Sequence, residues 1–244
     1  MVRGITFDWW HTIAETPWPD YDDRMRHIRV ERIGEALAAA GSPVGRGALY
    51  RAYDAHTELL VRSWKDLVDL TAEEQIRAFL EFAGLGDRIE GLGPRIEEAF
   101  GAAIESRMPR LYPGIEETLA RLRVLGYRVG LISNTGRTWG RFLRRVQDRL
   151  GIGSYFDVRV FSDEVRVRKP DPRIFRTAIE ALRIDPSETV HIGDDATADV
   201  AGAKQVGLRA VWFNTGFWPG ARADRADAEI GEHPRLLKVL EAWG

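Results

Sequence analysis

The sequence predicts an α/β protein whose doubly wound, mainly parallel sheet is interrupted after its first strand by an all-helical insert. From residue 112 onward, short β-branched runs alternate with helix-period stretches, which is the pattern of βα units. Residues 21–107 have helical periodicity and almost no strand signal. Residues 3–8 form a predicted buried strand with no neighbouring strand in sequence, so we assign it to the later sheet.

The bulk composition bounds the class of protein. A chain of 244 residues that is 44% hydrophobic suffices for one large domain or for a core with an inserted domain. The formal net charge of −2 provides no basic field, so we expect no nucleic-acid partner. The absence of cysteine excludes disulfides, thiolate metal sites and cysteine nucleophiles. No apolar run approaches the roughly 18 residues of a membrane span, and we expect a cytoplasmic protein with no membrane partner.

The first part of the chain contains one strand, a loop and four predicted helices. Pro17 and Pro19 indicate a loop over residues 14–20. Thr71 and Glu74 form a capping-box pattern at the start of the third helix. The four predicted helices cover residues 24–40, 49–64, 71–82 and 94–107. They predict a small bundle with its own apolar seam.

The second part alternates strands with helices. Asp171-Pro172 is a strong helix start, since a capping carboxylate precedes proline at the first helical position. The predicted strands are 127–132, 158–161, 189–192 and 210–213, and the predicted helices are 113–125, 137–150, 171–182, 196–206 and 233–243. We therefore predict a core domain of residues 1–14 and 111–244 and a helical cap domain of residues 15–110.

Polar side chains follow the predicted strands where open α/β sheets place their chemistry. Asp8 follows the first strand, Ser133 the second, and Lys169 lies in the loop after the third. Asp194 and Asp195 follow the fourth strand. Each of these residues also has an ordinary alternative as a helix cap, turn or surface residue. If the strands are neighbours, one cleft holds a carboxylate, a hydroxyl, an ammonium group and two acids.

The acids after the fourth strand suggest a cation site. Asp194 and Asp195 are joined by Asp199 further along the chain. Crowding three acids costs less where a hard cation is bound, and Mg²⁺ keeps several waters, so two carboxylates are enough to hold it.

The order of these residues resembles the haloacid dehalogenase-like hydrolase superfamily, with a helical cap inserted between the first and second motifs. The matching segments are Phe7-Asp8-x-x-x-Thr12, Ile132-Ser133-Asn134, Arg168-Lys169-Pro170-Asp171-Pro172 and Ile192-Gly193-Asp194-Asp195 with Asp199. The resemblance covers essentially the whole chain, the cap by position more than by sequence, and implies a Rossmann-like core.

The resemblance also implies roles for these residues. Asp8 would attack phosphorus and form an aspartyl-phosphate. Lys169 would be a second catalytic residue, which fixes the Asp8 carboxylate. Lys169, Ser133, Asn134 and Thr12 would bind the substrate. Magnesium would be held by Asp8, Asp194 and the main-chain carbonyl of Trp10, with support from Asp195 or Asp199. The substrate would be a small phosphorylated metabolite, and the protein a monomer or homodimer.

The sequence departs from the family pattern at Trp10. Most phosphatases of the superfamily have a second Asp there, which protonates the leaving alcohol, a contribution of roughly 10²–10⁴-fold in rate. Three alternatives remain open. In the first, the protein is a phosphatase, and the leaving alcohol takes its proton from His11, from the substrate or from a group of the cap. The protein is a slow or inactive member that binds a partner through Trp9, Trp10 and Trp18. Least favoured is a metal-independent 2-haloacid dehalogenase, since those enzymes lack an acid pair such as Asp194-Asp195.

Overall fold

The computed structural model describes residues 1–244 and contains a six-stranded parallel sheet. Its strands are β1 (Gly4–Phe7), β4 (Arg128–Ser133), β5 (Val158–Phe161), β6 (Thr189–Gly193), β7 (Arg209–Phe213) and β8 (Ala228–Ile230). The strand order is β5-β4-β1-β6-β7-β8, and every neighbouring pair is parallel. The predicted α/β class with a Rossmann-like sheet is confirmed.

Ten α-helices accompany the sheet. Four lie within the segment that was predicted to form the cap, residues 15–110: α1 (Tyr21–Ala39), α2 (Arg46–Lys65), α3 (Ala72–Phe82) and α4 (Ile89–Gly101). The others are α5 (Ile115–Val124), α6 (Gly140–Arg149), α7 (Ser162–Val165), α8 (Pro172–Leu182), α9 (Gly202–Gln205) and α10 (Arg235–Ala242). The Thr71 capping box forms as predicted, with the Glu74 amide donating to the Thr71 hydroxyl. No helix is long and apolar enough to cross a membrane.

The first strand lies at the point where the sheet reverses its direction of growth. Phe7 is paired with Leu131 of β4 on one side and with Ile192 of β6 on the other. In the sheet, β4 and then β5 lie on one side of β1, and β6, β7 and β8 lie on the other side. In open α/β sheets the crevice at such a switch point, outside the carboxyl ends of the strands, is where ligands bind.

Several predicted element bounds differ from the structure. The fourth helix was expected over residues 94–107, but α4 contains Pro94 and ends at Gly101, and a 3₁₀ turn covers Ala102–Ser106. The helix expected over residues 196–206 is a π-helical segment, Ala196–Ala201, followed by α9. The short strand β8 was missed, because its three residues show too little alternation to indicate a strand.

The helical segment is joined to the sheet by a two-stranded antiparallel ribbon. This ribbon consists of β2 (Ala14–Glu15) and β3 (Arg110–Leu111), paired Ala14 to Leu111 and Glu15 to Arg110. The ribbon lies at the two predicted crossings between core and cap. The division into residues 1–14 with 111–244 and residues 15–110 stays a prediction.

A second connection to the helical segment is the buried carboxylate of Asp69, which follows α2. It accepts hydrogen bonds from the Ser162 hydroxyl at 2.5 Å and the Thr135 hydroxyl at 3.1 Å. It also forms an ion pair with Arg168 at 2.6 Å. Thr135 follows β4, Ser162 begins α7 directly after β5, and Arg168 follows α7. One side chain of the helical segment therefore contacts three segments that follow strands of the sheet.

We expect His56, which lies in the core of the helical segment, to make the protein less stable below pH 6.5. Burial, with the guanidinium groups of Arg137 and Arg29, lowers the pKa of His56 from 6.5 to about 3. The unfolded chain therefore binds a proton below pH 6.5 that the folded chain does not. The contribution of His56 is complete above pH 6.5, and about 2 kcal/mol of it is lost at pH 5.

Urea unfolding between pH 5 and 7.5 measures this effect. The variant His56→Phe keeps an aromatic ring against Phe79 and Phe100 and should lose that part of the pH dependence. His27→Phe, at an exposed position of α1, is the matched control and should keep it. An equal pH dependence in the native protein and His56→Phe would contradict the expectation.

Candidate active site

The three central strands bring three of the predicted residues to one edge of the sheet. Asp8 follows β1, Ser133 ends β4 and Asp194 follows β6, and these strands are direct neighbours. The main-chain amide of Asp8 donates to the Ile192 carbonyl at 2.8 Å, which continues the pairing of β1 with β6 beyond Phe7. All three side chains are buried.

Lys169 is the fourth predicted residue, and its ammonium group lies between two carboxylates. Nζ is 2.5 Å from Oδ1 of Asp8 and 2.5 Å from Oδ1 of Asp199, and it donates to the Ile132 carbonyl at 2.9 Å. Lys169 is only 4% exposed. Burial opposes its charge, but the two carboxylates outweigh burial and raise the pKa of Lys169 above its usual range. The side chain is therefore a fixed, charged group beside Asp8.

Two carboxyl groups of the site resist ionisation. Burial raises the pKa of Asp8 to about 7, although Lys169 opposes this shift. Burial, with the charges of Asp8 and Asp199, raises the pKa of Asp194 to about 8. Ionising both carboxyl groups together is unfavourable here unless a cation offsets their charge.

Asp199 differs from these two because its oxygens are already occupied by donors. Besides Lys169, it contacts Nε2 of His191 at 3.1 Å and accepts from the Asp195 amide at 3.0 Å. Burial would raise the pKa of Asp199, but Lys169 and His191 lower it below its usual range. Asp199 is thus the ionised partner that holds Lys169 in place.

The residues present fit a hard cation. Carboxylate oxygens of Asp8, Asp194 and Asp199 all lie within 4.8 Å of one another. Oxygen ligands of this type are what Mg²⁺ prefers. Asp195 lies outside this group, because its Oδ1 caps the following π-helical turn through the amides of Thr197 at 2.7 Å and Ala198 at 2.8 Å.

The remaining predicted substrate residues have different surroundings. The Thr12 hydroxyl is buried and donates to Asp194 at 3.4 Å. Asn134 forms two hydrogen bonds with the main chain of Lys169, accepting from its amide at 2.8 Å and donating to its carbonyl at 3.1 Å. Asn134 therefore orients the Lys169 loop. The Ser133 hydroxyl bonds only to the neighbouring Asn134 carbonyl, at 3.3 Å.

Trp10 and His11, which follow Asp8 and Trp9, are both partly buried. Trp10 packs edge-on against the fully buried Trp9 and lies near Tyr21. His11 has a positive φ of 57° and stacks on Phe217 with ring centroids 3.5 Å apart. Burial lowers the pKa of His11 to about 4, with Asp22 opposing.

Two tryptophans that sequence reasoning did not assign to the site contact Asp194. Trp218 donates from its indole to Oδ2 of Asp194 at 2.7 Å, and Trp212 donates to the Asp194 carbonyl at 2.7 Å. Trp218 follows β7 in a loop that also contains Phe217, and both rings are nearly half exposed. This loop therefore lies over the edge of the site. The adjacent aromatic residues Phe217 and Trp218 were the sequence signal that could have indicated its role.

The sheet order and the acids at its carboxyl edge define an α/β protein with its site at the topological switch point. A family model described as haloacid dehalogenase-like hydrolase matches residues 2–207. The chain belongs to this family of hydrolases, which confirms the resemblance inferred from the four motifs.

Individual relatives agree with this assignment. A glyceraldehyde 3-phosphate phosphatase of Pyrococcus furiosus is 37% identical over 137 residues, which is 54% of this chain and 55% of that protein. The chain thus spans about half the length of that relative. A phosphoserine phosphatase of Thermus thermophilus is 28% identical over 238 residues, 87% of this chain and 94% of that protein. A 2-haloacid dehalogenase structure from Pseudomonas syringae pv. Tomato has a TM-score of 0.71 at 24% identity over the full length of both chains, a likeness of fold.

Proposed function

We propose that this protein is a magnesium-dependent phosphatase that hydrolyses a small phosphomonoester through an aspartyl-phosphate on Asp8. The observation that carries the proposal is the buried contact of Asp8 with Lys169 at 2.5 Å, beside the carboxylate of Asp194. A charged amine fixed at a carboxylate suits attack on an anionic phosphate, because it offsets the repulsion between the two anions. The phosphatase names of two relatives support the same reaction class.

In the proposed reaction Asp8 supplies an electron pair from one carboxylate oxygen to phosphorus. The bond from phosphorus to the ester oxygen breaks, and the alcohol leaves with a proton taken from a donor or from solvent. Water then attacks the aspartyl-phosphate, which releases phosphate and restores the Asp8 carboxylate. Splitting the transfer into two displacements lowers the barrier of each.

The other residues bind and orient. Lys169 holds the Asp8 carboxylate and offsets the negative charge of the phosphoryl group, and the Ser133 hydroxyl donates to a phosphoryl oxygen. Asn134 fixes the Lys169 loop through its two main-chain bonds. Asp199 keeps the Lys169 ammonium charged and in position.

Asp8, Asp194 and the main-chain carbonyl of Trp10 would hold the magnesium ion. When bound, the ion supplies positive charge that offsets the phosphoryl oxygens and the carboxylates. Because burial raises the pKa of Asp8 to about 7 and of Asp194 to about 8, and both groups must be ionised to act as ligands, magnesium binding would release protons and strengthen as the pH rises.

Trp10 removes the usual proton donor, so we expect the best substrates to have leaving groups that depart without protonation. Hydrolysis of p-nitrophenyl phosphate tests the proposed function, because its phenolate needs little protonation. We expect turnover with Mg²⁺ and a return to background when the ion is chelated. No hydrolysis above background would favour a binding protein, and chloride release from 2-chloropropionate without metal would indicate a dehalogenase.

We also expect Trp218→Phe to weaken magnesium binding by about 10–100-fold, the usual cost of losing a hydrogen bond to a metal ligand. The indole of Trp218 orients Oδ2 of Asp194, and phenylalanine cannot donate. Titration of the rate with Mg²⁺ measures this change. Trp243→Phe, at the residue that follows α10 and beside Arg209, should leave the titration unchanged. Equal Mg²⁺ affinities in both variants would contradict the role of Trp218.

A further inference from the structure

A cavity of about 360 Å³ adjoins the site, between the helical segment and the sheet. It is bordered by Trp10 and His11, which follow Asp8, and by Gly136, which follows the Ser133 strand. Its volume is in the range of pockets that take small ligands. A molecule whose phosphate reaches Asp8 would therefore extend the rest of its structure into this cavity.

Two arginines line this cavity, Arg29 from α1 and Arg137 from the loop before α6. Arg29 is only 7% exposed, and it donates to the Tyr53 hydroxyl at 3.3 Å and the Thr138 hydroxyl at 3.0 Å. Arg137 donates to the Thr57 hydroxyl, and its guanidinium lies 4.7 Å over the Tyr53 ring. Both guanidinium groups therefore converge on one tyrosine.

Neither arginine has a carboxylate partner within 4 Å, whereas Arg26 on α1 and Arg144 and Arg145 on α6 do. Nε of Arg29 and Nε of Arg137 are buried with no hydrogen-bond partner. The one carboxylate that lines the cavity is Asp22, on the exposed face of α1. Burial and the charge of Arg29 lower the pKa of Arg137.

Buried like charges without a counterion are costly, and a ligand of opposite charge would offset that cost. A planar guanidinium group forms paired hydrogen bonds with a carboxylate or a phosphate. We propose that Arg29 and Arg137 bind a second anionic group of the substrate, so that the protein selects phosphomonoesters with a carboxylate or a further phosphate at their other end. This rests on the proposed phosphatase function for the position of the reacting phosphate.

Matched substrate pairs test this proposal. O-phosphoserine and O-phosphoethanolamine differ only in the carboxylate, and propane-1,3-diol bisphosphate and propyl phosphate differ only in the second phosphate. We expect kcat/KM to favour the more anionic member of at least one pair by about 10–100-fold, as for hydrogen bonds to a charged group. The pair with the larger ratio identifies the anion. Ratios near one in both pairs would overturn the proposal.

Substitutions of Arg29 and Arg137 test whether these two residues cause the preference for the more anionic substrate. We expect Arg29→Gln and Arg137→Gln each to reduce the ratio at least about 10-fold, and Arg51→Gln, at an exposed position of α2, to retain it. A ratio within each protein cancels any general loss of activity. An unchanged ratio in both variants would overturn the proposal, and Arg137→Gln keeps the test available if the more buried Arg29 is needed for folding.

Calorimetric binding separates this proposal from the proposed function, since it needs no turnover. Asp8→Asn protein titrated with O-phosphoserine and O-phosphoethanolamine should show the same preference. Preferential binding without hydrolysis in the native protein would reject the phosphatase and retain the anion site. Hydrolysis of p-nitrophenyl phosphate with no preference in rate or binding would reject the anion site alone.

Discussion

Asp8→Asn is expected to reduce hydrolysis of p-nitrophenyl phosphate by at least about 10⁴-fold, which is within the usual cost of removing a nucleophile. Asparagine has nearly the same shape but a much weaker nucleophilic oxygen. It also lacks the charge that Lys169 and a magnesium ion would contact. The reaction path through an aspartyl-phosphate then has no first step.

The comparison requires a carboxylate substitution that leaves the site intact. Asp23→Asn, in the exposed first turn of α1, serves this purpose and should keep native rates. Steady-state rates at saturating Mg²⁺, with circular dichroism to verify folding, measure both variants. Retention of more than about one hundredth of the native rate in Asp8→Asn would remove Asp8 from the role of nucleophile.

Lys169→Met should lower the free energy of unfolding by about 3–5 kcal/mol. The substitution keeps a similar length and removes the ammonium group from between Asp8 and Asp199. All three side chains are almost fully buried, at 9% side-chain exposure or less. Removing one partner of a buried ion pair leaves the other charge without compensation, and here two carboxylates lose the same cation.

Lys204→Met provides the matched control. Lys204 pairs with Asp227 at 2.8 Å, but both side chains are about one third exposed. Solvent screens such a pair, so its loss should cost at most about 1 kcal/mol. Urea unfolding at neutral pH compares the two, and equal midpoints for the two variants would show that the Lys169 ion pairs contribute no more than a surface pair.

The strands of the sheet and the positions of Asp8, Ser133, Lys169 and Asp194 after them follow from local patterns in the sequence, but the order of the strands in the sheet does not. Short apolar runs that end in Asp8, Ser133 and Asp194 indicate strands, and parallel strands place their carboxyl ends together. The sequence did not indicate which of Asp195 and Asp199 lies with Asp8 and Asp194. Both carboxylates are close to a helix start, and only the turn geometry decides that Asp195 caps while Asp199 reaches Lys169.

Other features were beyond local reasoning because they depend on distant segments. Trp218 donates a hydrogen bond to Asp194, which is 24 positions earlier in the sequence. Phe217 stacks on His11, which lies near the start of the chain. For Arg29 a signal did exist. It lies on the buried stripe of α1 with Met25, Ile33 and Leu37, where a charged residue is unexpected and indicates a specific role.

The carboxylate of Asp69 has a consequence for how the site is assembled. Thr135, Ser162 and Arg168 follow strands β4 and β5 of the sheet, yet their shared acceptor belongs to the helical segment that precedes β4. A sheet domain produced without that segment would contain three donors that have lost their common partner, directly beside Ser133 and Lys169. The insert is therefore part of the scaffold that gives the loops beside the candidate site their shape, and changes in these loops should have interdependent rather than additive effects on stability.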